Sequence, residues 1–151
     1  MSPASLGTNL SLQQHLKVER NGAVNELDAA LEVDEQHLEL VGLALGQRVL
    51  RLHFDGKQVQ SWRHVFLPAQ VQAENVLDDL QLTLWPRAAI EASLAPGWRL
   101  DEQGLRRNLY LKDKLVTTIE YSEQLRWNGT AVLQNVRYNY RLTIESAPSA
   151  P

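Results

Sequence analysis

Apolar and polar residues alternate over long stretches of this sequence. A period of two is typical of strands that bury one face. In the first stretch, between His15 and Trp62, a turn signal at Asn21-Gly22 separates two such runs. The clearest alternating positions further along this stretch are Leu38, Leu40, Leu50, Leu52 and Phe54. The stretch therefore predicts about five antiparallel strands that run as a meander.

One predicted turn of this meander is unusually apolar. Residues 41–46 have the sequence Val-Gly-Leu-Ala-Leu-Gly, in a place where soluble proteins normally use Asn, Asp or Ser. We expect this turn, which contains Leu43, Ala44 and Leu45, either to be buried or to contact something apolar outside the chain.

The period changes after Pro68. Apolar residues then recur at helical spacing, which predicts a helix from Ala73 to Trp85 and, after Pro86, a second short helix from Arg87 to Leu94. The apolar positions of the first helix are Val76, Leu77, Leu80 and Leu84. Its adjacent Asp78 and Asp79 point about 100° apart, so we interpret them as a solvated face rather than as a carboxylate pair.

Alternation resumes from Trp98 to Ile144 and predicts about five more strands. The chain is thus mainly β, of the α+β class, with a large curved antiparallel sheet of about ten strands. The two helices are the available cover for its concave face. An apolar cavity under them and a tightly packed core both remain open. We expect one domain over residues 12–145, flanked by disordered segments at 1–11 and 146–151.

Composition and motifs exclude several classes of function. The formal net charge is −3, so no basic field favours nucleic acid, and the absence of cysteine excludes thiolate chemistry. The four histidines are scattered, and no serine lies in a nucleophile-elbow context. We therefore predict no catalytic residue, no metal site and no cofactor. No apolar run approaches the about 18 residues of a spanning helix.

Several short motifs, taken in order, resemble a family of uncharacterised bacterial lipoproteins regarded as LolB-like, within the LolA/LolB-like superfamily. The resemblance covers residues 12–145. The motifs are Leu67-Pro68-Ala69, Leu77-Asp78-Asp79-Leu80-Gln81-Leu82, Leu84-Trp85-Pro86, Gly97-Trp98-Arg99-Leu100 and Asn135-Val136-Arg137-Tyr138-Asn139-Tyr140-Arg141-Leu142. It implies an unclosed antiparallel barrel with a helical lid around a hydrophobic cavity.

The resemblance also implies a set of site residues. A protruding loop of LolB carries an exposed leucine before a glycine, and Leu45 before Gly46 occupies the matching place, with Leu43 and Ala44 beside it. These three residues would face a membrane or a partner. The expected cavity wall consists of Leu16, Val18, Leu27, Leu31, Leu38, Leu40, Leu50, Leu52 and Phe54, with Leu77, Leu80, Leu84 and Trp85 as the lid.

The resemblance implies a non-enzymatic protein that carries acyl chains or another apolar cargo at the periplasmic face of the outer membrane. Its expected partners are lipid or lipoprotein acyl chains, the outer-membrane surface and a periplasmic carrier protein. A full-length precursor would carry the lipid anchor and the signal that this sequence lacks. The alternative is an interaction protein with a packed core, whose apolar loop docks a partner protein.

Overall fold

Ten strands and two α-helices form the structure, a computed structural model that describes residues 1–65, 67 and 72–149. The elements in chain order are a 3-10 helix at Pro3–Leu6, β1 Leu10–Arg20, β2 Ala23–Val33, β3 Leu38–Ala44, β4 Gln47–Phe54, β5 Val59–Arg63, α1 Ala73–Leu84, α2 Arg87–Ser93, β6 Trp98–Gln103, β7 Arg106–Leu111, β8 Lys114–Tyr121, β9 Gly129–Asn135 and β10 Tyr140–Pro148.

All ten strands belong to one antiparallel sheet. Their order is β5-β4-β3-β2-β1-β10-β9-β8-β7-β6, so two five-strand meanders join where β1 pairs with β10. Among the described residues β5 and β6 are the two edges of the sheet and do not pair with each other, so the barrel is not closed. The two helices lie in the connection between these edges. The predicted open, curved sheet of about ten strands with a helical lid is confirmed.

The alternation of the sequence decides which face of the sheet is buried. On β2, for example, Leu27 and Leu31 are buried whereas the acidic residues between and beside them, such as Asp28 and Glu32, are exposed. The same pattern recurs on β4, β9 and β10. One face of every long strand thus contributes to a single apolar core on which α1 packs.

The N-terminal segment is ordered, so the prediction of disorder over residues 1–11 is wrong. The 3-10 helix buries Leu6 in the core, and β1 already begins at Leu10. The fully buried Trp85 explains this order, because its indole N–H requires an acceptor and donates to the carbonyl of Ser2 over 3.1 Å. Gln81 Nε2 likewise donates to the carbonyl of Met1 over 2.9 Å.

The C-terminal end also extends further than predicted. β10 pairs with β1 as far as Pro148, opposite Leu12, so the predicted disorder from residue 146 is wrong up to that point. Register with β1 supplies the hydrogen bonds that a frayed tail would lack. Residues 150 and 151 lie outside the described part of the chain.

The last turn of α1 is held by side chains from the sheet. An α-helix leaves its last four carbonyls without partners inside the helix, and here these are the carbonyls of residues 82–85. Each accepts a hydrogen bond from Arg107, Tyr121 or Arg126. Arg107 Nη1 donates to Leu82 (2.8 Å) and Trp85 (2.7 Å), Tyr121 Oη donates to Thr83 (2.6 Å), and Arg126 Nε donates to Leu84 (3.0 Å).

Two of these donors are cations, which suits the negative end of the helix macrodipole. Arg107 is only 1 % exposed, and its charge is compensated by Glu102, whose carboxylate lies 3.1 Å from Nε. The guanidinium also lies 5.7 Å from the centre of the Tyr121 ring. This arrangement fixes the C-terminal half of α1 on β7 and β8.

Replacing Arg107 with methionine is expected to lower the free energy of unfolding by about 3–5 kcal/mol. The variant leaves two buried carbonyls and the Glu102 charge without a partner. Arg106→Met is the matched control, because Arg106 directly precedes Arg107, lies on the outer face of the sheet and pairs with Glu120 in solvent. We expect it to cost less than about 1 kcal/mol. Urea denaturation measures both, and equal losses would contradict the anchoring role of Arg107.

Candidate ligand-binding site

A cavity of about 540 Å³ lies between the N-terminal half of α1 and the concave face of the sheet. Ligand pockets of proteins typically measure about 300–1,000 Å³. Its apolar wall is made by Leu16, Val18, Leu27, Leu50, Val76, Leu80, Leu82, Trp98, Leu109, Val116 and Leu142. Its other lining residues are Arg20, Gln72, Asn75, Asp78, Asp79, Thr117, Asn135, Arg137, Tyr138 and Tyr140.

Some of the residues predicted to line a cavity do lie on this wall. They are Leu16, Val18, Leu27, Leu50 and Leu80. They come from β1, β2, β4 and α1, which the structure brings together around the cavity. Their role in binding a ligand remains a prediction.

The other predicted wall and lid residues lie in the packed core, away from the cavity. They are Leu31, Leu38, Leu40, Leu52, Phe54, Leu77, Leu84 and Trp85. The reason is that the C-terminal half of α1 is held close to the sheet and the 3-10 helix fills the space beside Trp85. The concave face is therefore packed at one end and open at the other.

The sequence analysis missed the half of the wall that comes from β6 to β10. Trp98, Leu109, Val116 and Leu142 supply apolar surface there, and Thr117 supplies a buried hydroxyl. The alternation on β8 and β10 was a usable signal. What the sequence did not show is the pairing of β1 with β10, which places this half beside the first.

A polar cluster of three side chains lies inside the cavity. Tyr140 Oη donates a hydrogen bond to Asp79 Oδ2 over 2.6 Å, and Asn135 Nδ2 donates to Tyr140 Oη over 3.4 Å. The first bond connects α1 to β10 across the cavity. The interpretation of Asp79 as part of a solvated face is therefore wrong, because the helix turns this residue toward the sheet. Asp78 is more exposed but also lines the cavity.

Burial raises the pKa of Asp79 to about 6. Desolvation of the carboxylate is the main cause, the hydrogen bond from Tyr140 opposes it, and the neighbouring Asp78 adds to it. The pKa of Tyr140 is also raised, first by burial and then by the negative charge of Asp79. The phenol consequently stays protonated and acts as a hydrogen-bond donor.

Two arginines line the cavity where β1 ends and β10 begins, and we call this part of the cavity its mouth. Arg20 is the last residue of β1 and pairs in register with Tyr140, so its side chain starts on the same face as the tyrosine. Arg137 belongs to the β9–β10 turn and lies over the ring of Tyr138 at 5.1 Å. Within the described residues, neither guanidinium has a carboxylate at ion-pair distance.

The apolar turn between β3 and β4 is shorter than predicted. β3 continues to Ala44, so Val41, Leu43 and Ala44 are strand residues, and the turn proper is Leu45-Gly46. Both turn residues have positive φ, 51° and 75°. A leucine in this conformation costs about 1 kcal/mol or more, and Leu45 is 103 % exposed, so no burial compensates for it.

Leu45 lies at the same end of the strands as the cavity mouth. In an antiparallel meander every second turn is at the same end of the strands. The register places the β3–β4 turn at the same end as the β1–β2 and β9–β10 turns. Exposed apolar side chains collect there, and we call them the apolar rim. The rim consists of Val24, Leu43, Leu45, Val65, Leu115, Val136 and Tyr138.

Comparison with known proteins agrees with this architecture. A LolA superfamily protein from Nitrosomonas europaea superposes with a TM-score of 0.52 over 95% of this chain and 87% of that chain, at 7% sequence identity. A DUF1329 family protein from Desulfovibrio piger gives a TM-score of 0.46 over 96% and 87% of the two chains, at 11% identity. The first likeness shows that the chain has the unclosed-barrel fold of the LolA superfamily, as the sequence resemblance implied.

The family is shown by the sequence itself. The model of the family described as "Protein of unknown function (DUF3261)" matches residues 11–148, so the chain belongs to that family. A search of curated proteins gives no match. Of the motifs that carried the resemblance, Pro68 and Ala69 lie outside the described residues.

Neither metal ligands nor a spanning helix stand out in the part of the chain that the structure describes. No three His, Asp or Glu side chains there are grouped so that they could hold a metal ion. No helix among the same residues has the length and the apolar character needed to cross a membrane.

Asp79 is expected to make the protein less stable as the pH rises. The carboxyl has its usual pKa of 3.8 in the unfolded chain and about 6 in the folded chain. Between these values the folded state binds more protons, so stability falls with rising pH, by up to about 3 kcal/mol, and the loss is complete above the folded pKa.

Asp79→Asn tests this sign, because asparagine keeps an acceptor for Tyr140 without the charge. We expect the variant to match the wild type near about pH 4 and to be more stable above about pH 7. Chemical denaturation across this range gives the comparison, with the exposed Glu35→Gln as control. If the free energy of unfolding changed with pH equally in wild type and variant, the charge of Asp79 would have no cost in stability.

Proposed function

We propose that this chain is a non-enzymatic carrier that binds an acyl chain or a similar apolar cargo in the cavity and exchanges it at the outer-membrane surface. The observation that carries the proposal is the apolar-walled cavity of about 540 Å³, whose lining shares Tyr138 with the apolar rim. The apolar rim thus offers a membrane an apolar contact surface next to the cavity.

The cavity favours carriage over a scaffold with a packed core. The sequence left both alternatives open, and a connected void above about 300 Å³ is the size that distinguishes them. Each methylene that moves from water onto the wall contributes about 0.8 kcal/mol, so part of one acyl chain suffices for useful binding.

Binding, rather than catalysis, suits the polar groups of the cavity. Tyr140 stays protonated because its pKa is raised, so it is not available as a base, and its hydroxyl proton is engaged with Asp79. The cluster offers hydrogen bonds and joins the lid to the sheet.

The resemblance to LolB-like lipoproteins supports a place on the periplasmic face of the outer membrane, with a lipid anchor on the precursor. In this proposal a periplasmic carrier protein delivers the cargo, and it docks on the apolar rim. A stable complex of the empty chain with such a protein, without any lipid exchange, would instead favour the interaction-protein alternative.

Val18→Trp is expected to weaken cargo binding at least about tenfold, which corresponds to about 1.4 kcal/mol. The indole would occupy the space beside Leu16 that the ligand needs. The measurement is titration with a fluorescent fatty acid. Val59→Trp is the control, because Val59 is an exposed valine at the start of β5, outside the apolar rim, and does not line the cavity. A wild-type protein that binds no probe, or equal affinities of the two variants, would contradict the proposal.

Leu45→Asn is expected to raise the free energy of unfolding by up to about 1 kcal/mol and, at the same time, to slow lipid transfer to vesicles. Asparagine tolerates positive φ better than leucine does, but it removes the apolar tip. Leu45→Glu should leave the fold intact and slow transfer further. Leu105→Asn is the control, since Leu105 is an exposed leucine in the β6–β7 turn at the opposite end of the strands. Unchanged transfer by both Leu45 variants would exclude the tip from delivery.

A further inference from the structure

The cavity has positive charge at its mouth that the protein itself does not neutralise. Arg20 and Arg137 both line the cavity, and in the described chain neither forms an ion pair. Some other arginines of the sheet are paired, as Arg51 is with Glu39 and Arg106 with Glu120. A guanidinium beside an apolar cavity offers several N–H donors in a planar fork, which matches the oxygens of a carboxylate or a phosphate.

The two arginines approach the same part of the wall from neighbouring elements. Arg20 is opposite Tyr140 in the β1–β10 register, and Arg137 lies three residues before Tyr140 in the chain. The backbone N–H groups of Val136 and Arg137 donate to the carbonyl of Val116, over 2.8 Å and 3.3 Å, which ties the turn to β8. The turn that carries Arg137 is therefore held at the mouth.

The negative charges of the cavity come from the helical lid, whereas the two arginines come from the sheet and its β9–β10 turn. Asp78 and Asp79 belong to α1, and Asp79 is engaged with Tyr140. An anion placed against the lid would be repelled by these carboxylates, whereas an anion at the sheet side of the mouth meets the two arginines. The charges thus fix an orientation, with an acidic group at the mouth and an apolar chain on the wall.

We propose that the cavity takes a single-chain anionic amphiphile whose carboxylate or phosphate headgroup is bound by Arg20 and Arg137. This inference rests on the proposed function and adds to it the chemical class of the cargo. The volume of about 540 Å³ suits one chain, and the leucine and valine wall behind the arginines receives it.

The test compares ligands that share one chain and differ in the headgroup. Dodecanoate, dodecyl phosphate, dodecanol and dodecylamine each displace a neutral fluorescent probe from the wild-type protein at neutral pH. We expect at least one of the two anions to bind about tenfold tighter than the alcohol, and the amine to bind most weakly. The ratio of carboxylate to phosphate affinity identifies the headgroup. The anion preference should shrink as salt is added.

Variants then assign the preference to the two arginines. Arg20→Gln combined with Arg137→Gln should abolish the difference between anion and alcohol while the affinity for dodecanol stays unchanged, which also shows that the variant is folded. Arg20→Lys with Arg137→Lys should keep part of the preference. Arg141→Gln is the matched control, because Arg141 follows Tyr140 on the outer face and bonds to Gln134 over 3.3 Å.

The possible failures are distinguishable. Equal binding of the alcohol and both anions by the wild type would overturn the headgroup site and leave the apolar cavity in place. Tighter binding of the amine would overturn it in favour of Asp78 and Asp79. A preference for anions that survives the double glutamine variant would also overturn the assignment. Binding of none of the four ligands, nor of the probe, would overturn the proposed function itself.

Discussion

The structure depends on how the last turn of α1 is held. Its four terminal carbonyls are buried or partly buried, where unpaired carbonyls are costly, and Arg107, Tyr121 and Arg126 satisfy all of them. These donors come from one half of the open sheet, so they bring the helix down at that end. The space under the N-terminal half of α1 is then left unfilled. The cavity is thus a consequence of anchoring the lid at one end.

At the cavity end a hydrogen bond to a titratable carboxyl links α1 to the sheet. The hydrogen bond from Tyr140 to Asp79 connects helix and sheet, but it does so with a carboxyl whose ionised form is disfavoured by burial. Several hydrogen bonds therefore hold the lid at the end where no ligand binds. At the end where a ligand would enter, the attachment depends on the ionisation of Asp79. Four hydrogen bonds from three side chains at one end and one hydrogen bond to a titratable carboxyl at the other make the two ends unequal.

Much of the fold follows from local pattern. The period of two decides the strands and the helical spacing decides α1, so the open sheet with its lid was predictable. The division of the concave face into a packed end and an end with a cavity was not predictable in this way. Leu40 and Leu50 have the same pattern on neighbouring strands, yet only Leu50 reaches the cavity, because the position of α1 depends on Arg107 from a distant strand. The order of residues 1–11 likewise depends on the distant Trp85.

Locally unfavourable features are concentrated at one end of the strands, the end that contains the β3–β4 turn. Leu45 has a positive φ and full exposure, Arg20 and Arg137 lack carboxylate partners among the described residues, and the charge of Asp79 is buried nearby. At the opposite end of the strands the backbone N–H groups of two turns have partners, since Asp34 and Asp55 each accept two of them. A fold gains no stability from this asymmetry. It is expected where exposed apolar tips and uncompensated charges are retained because a ligand or a surface completes them.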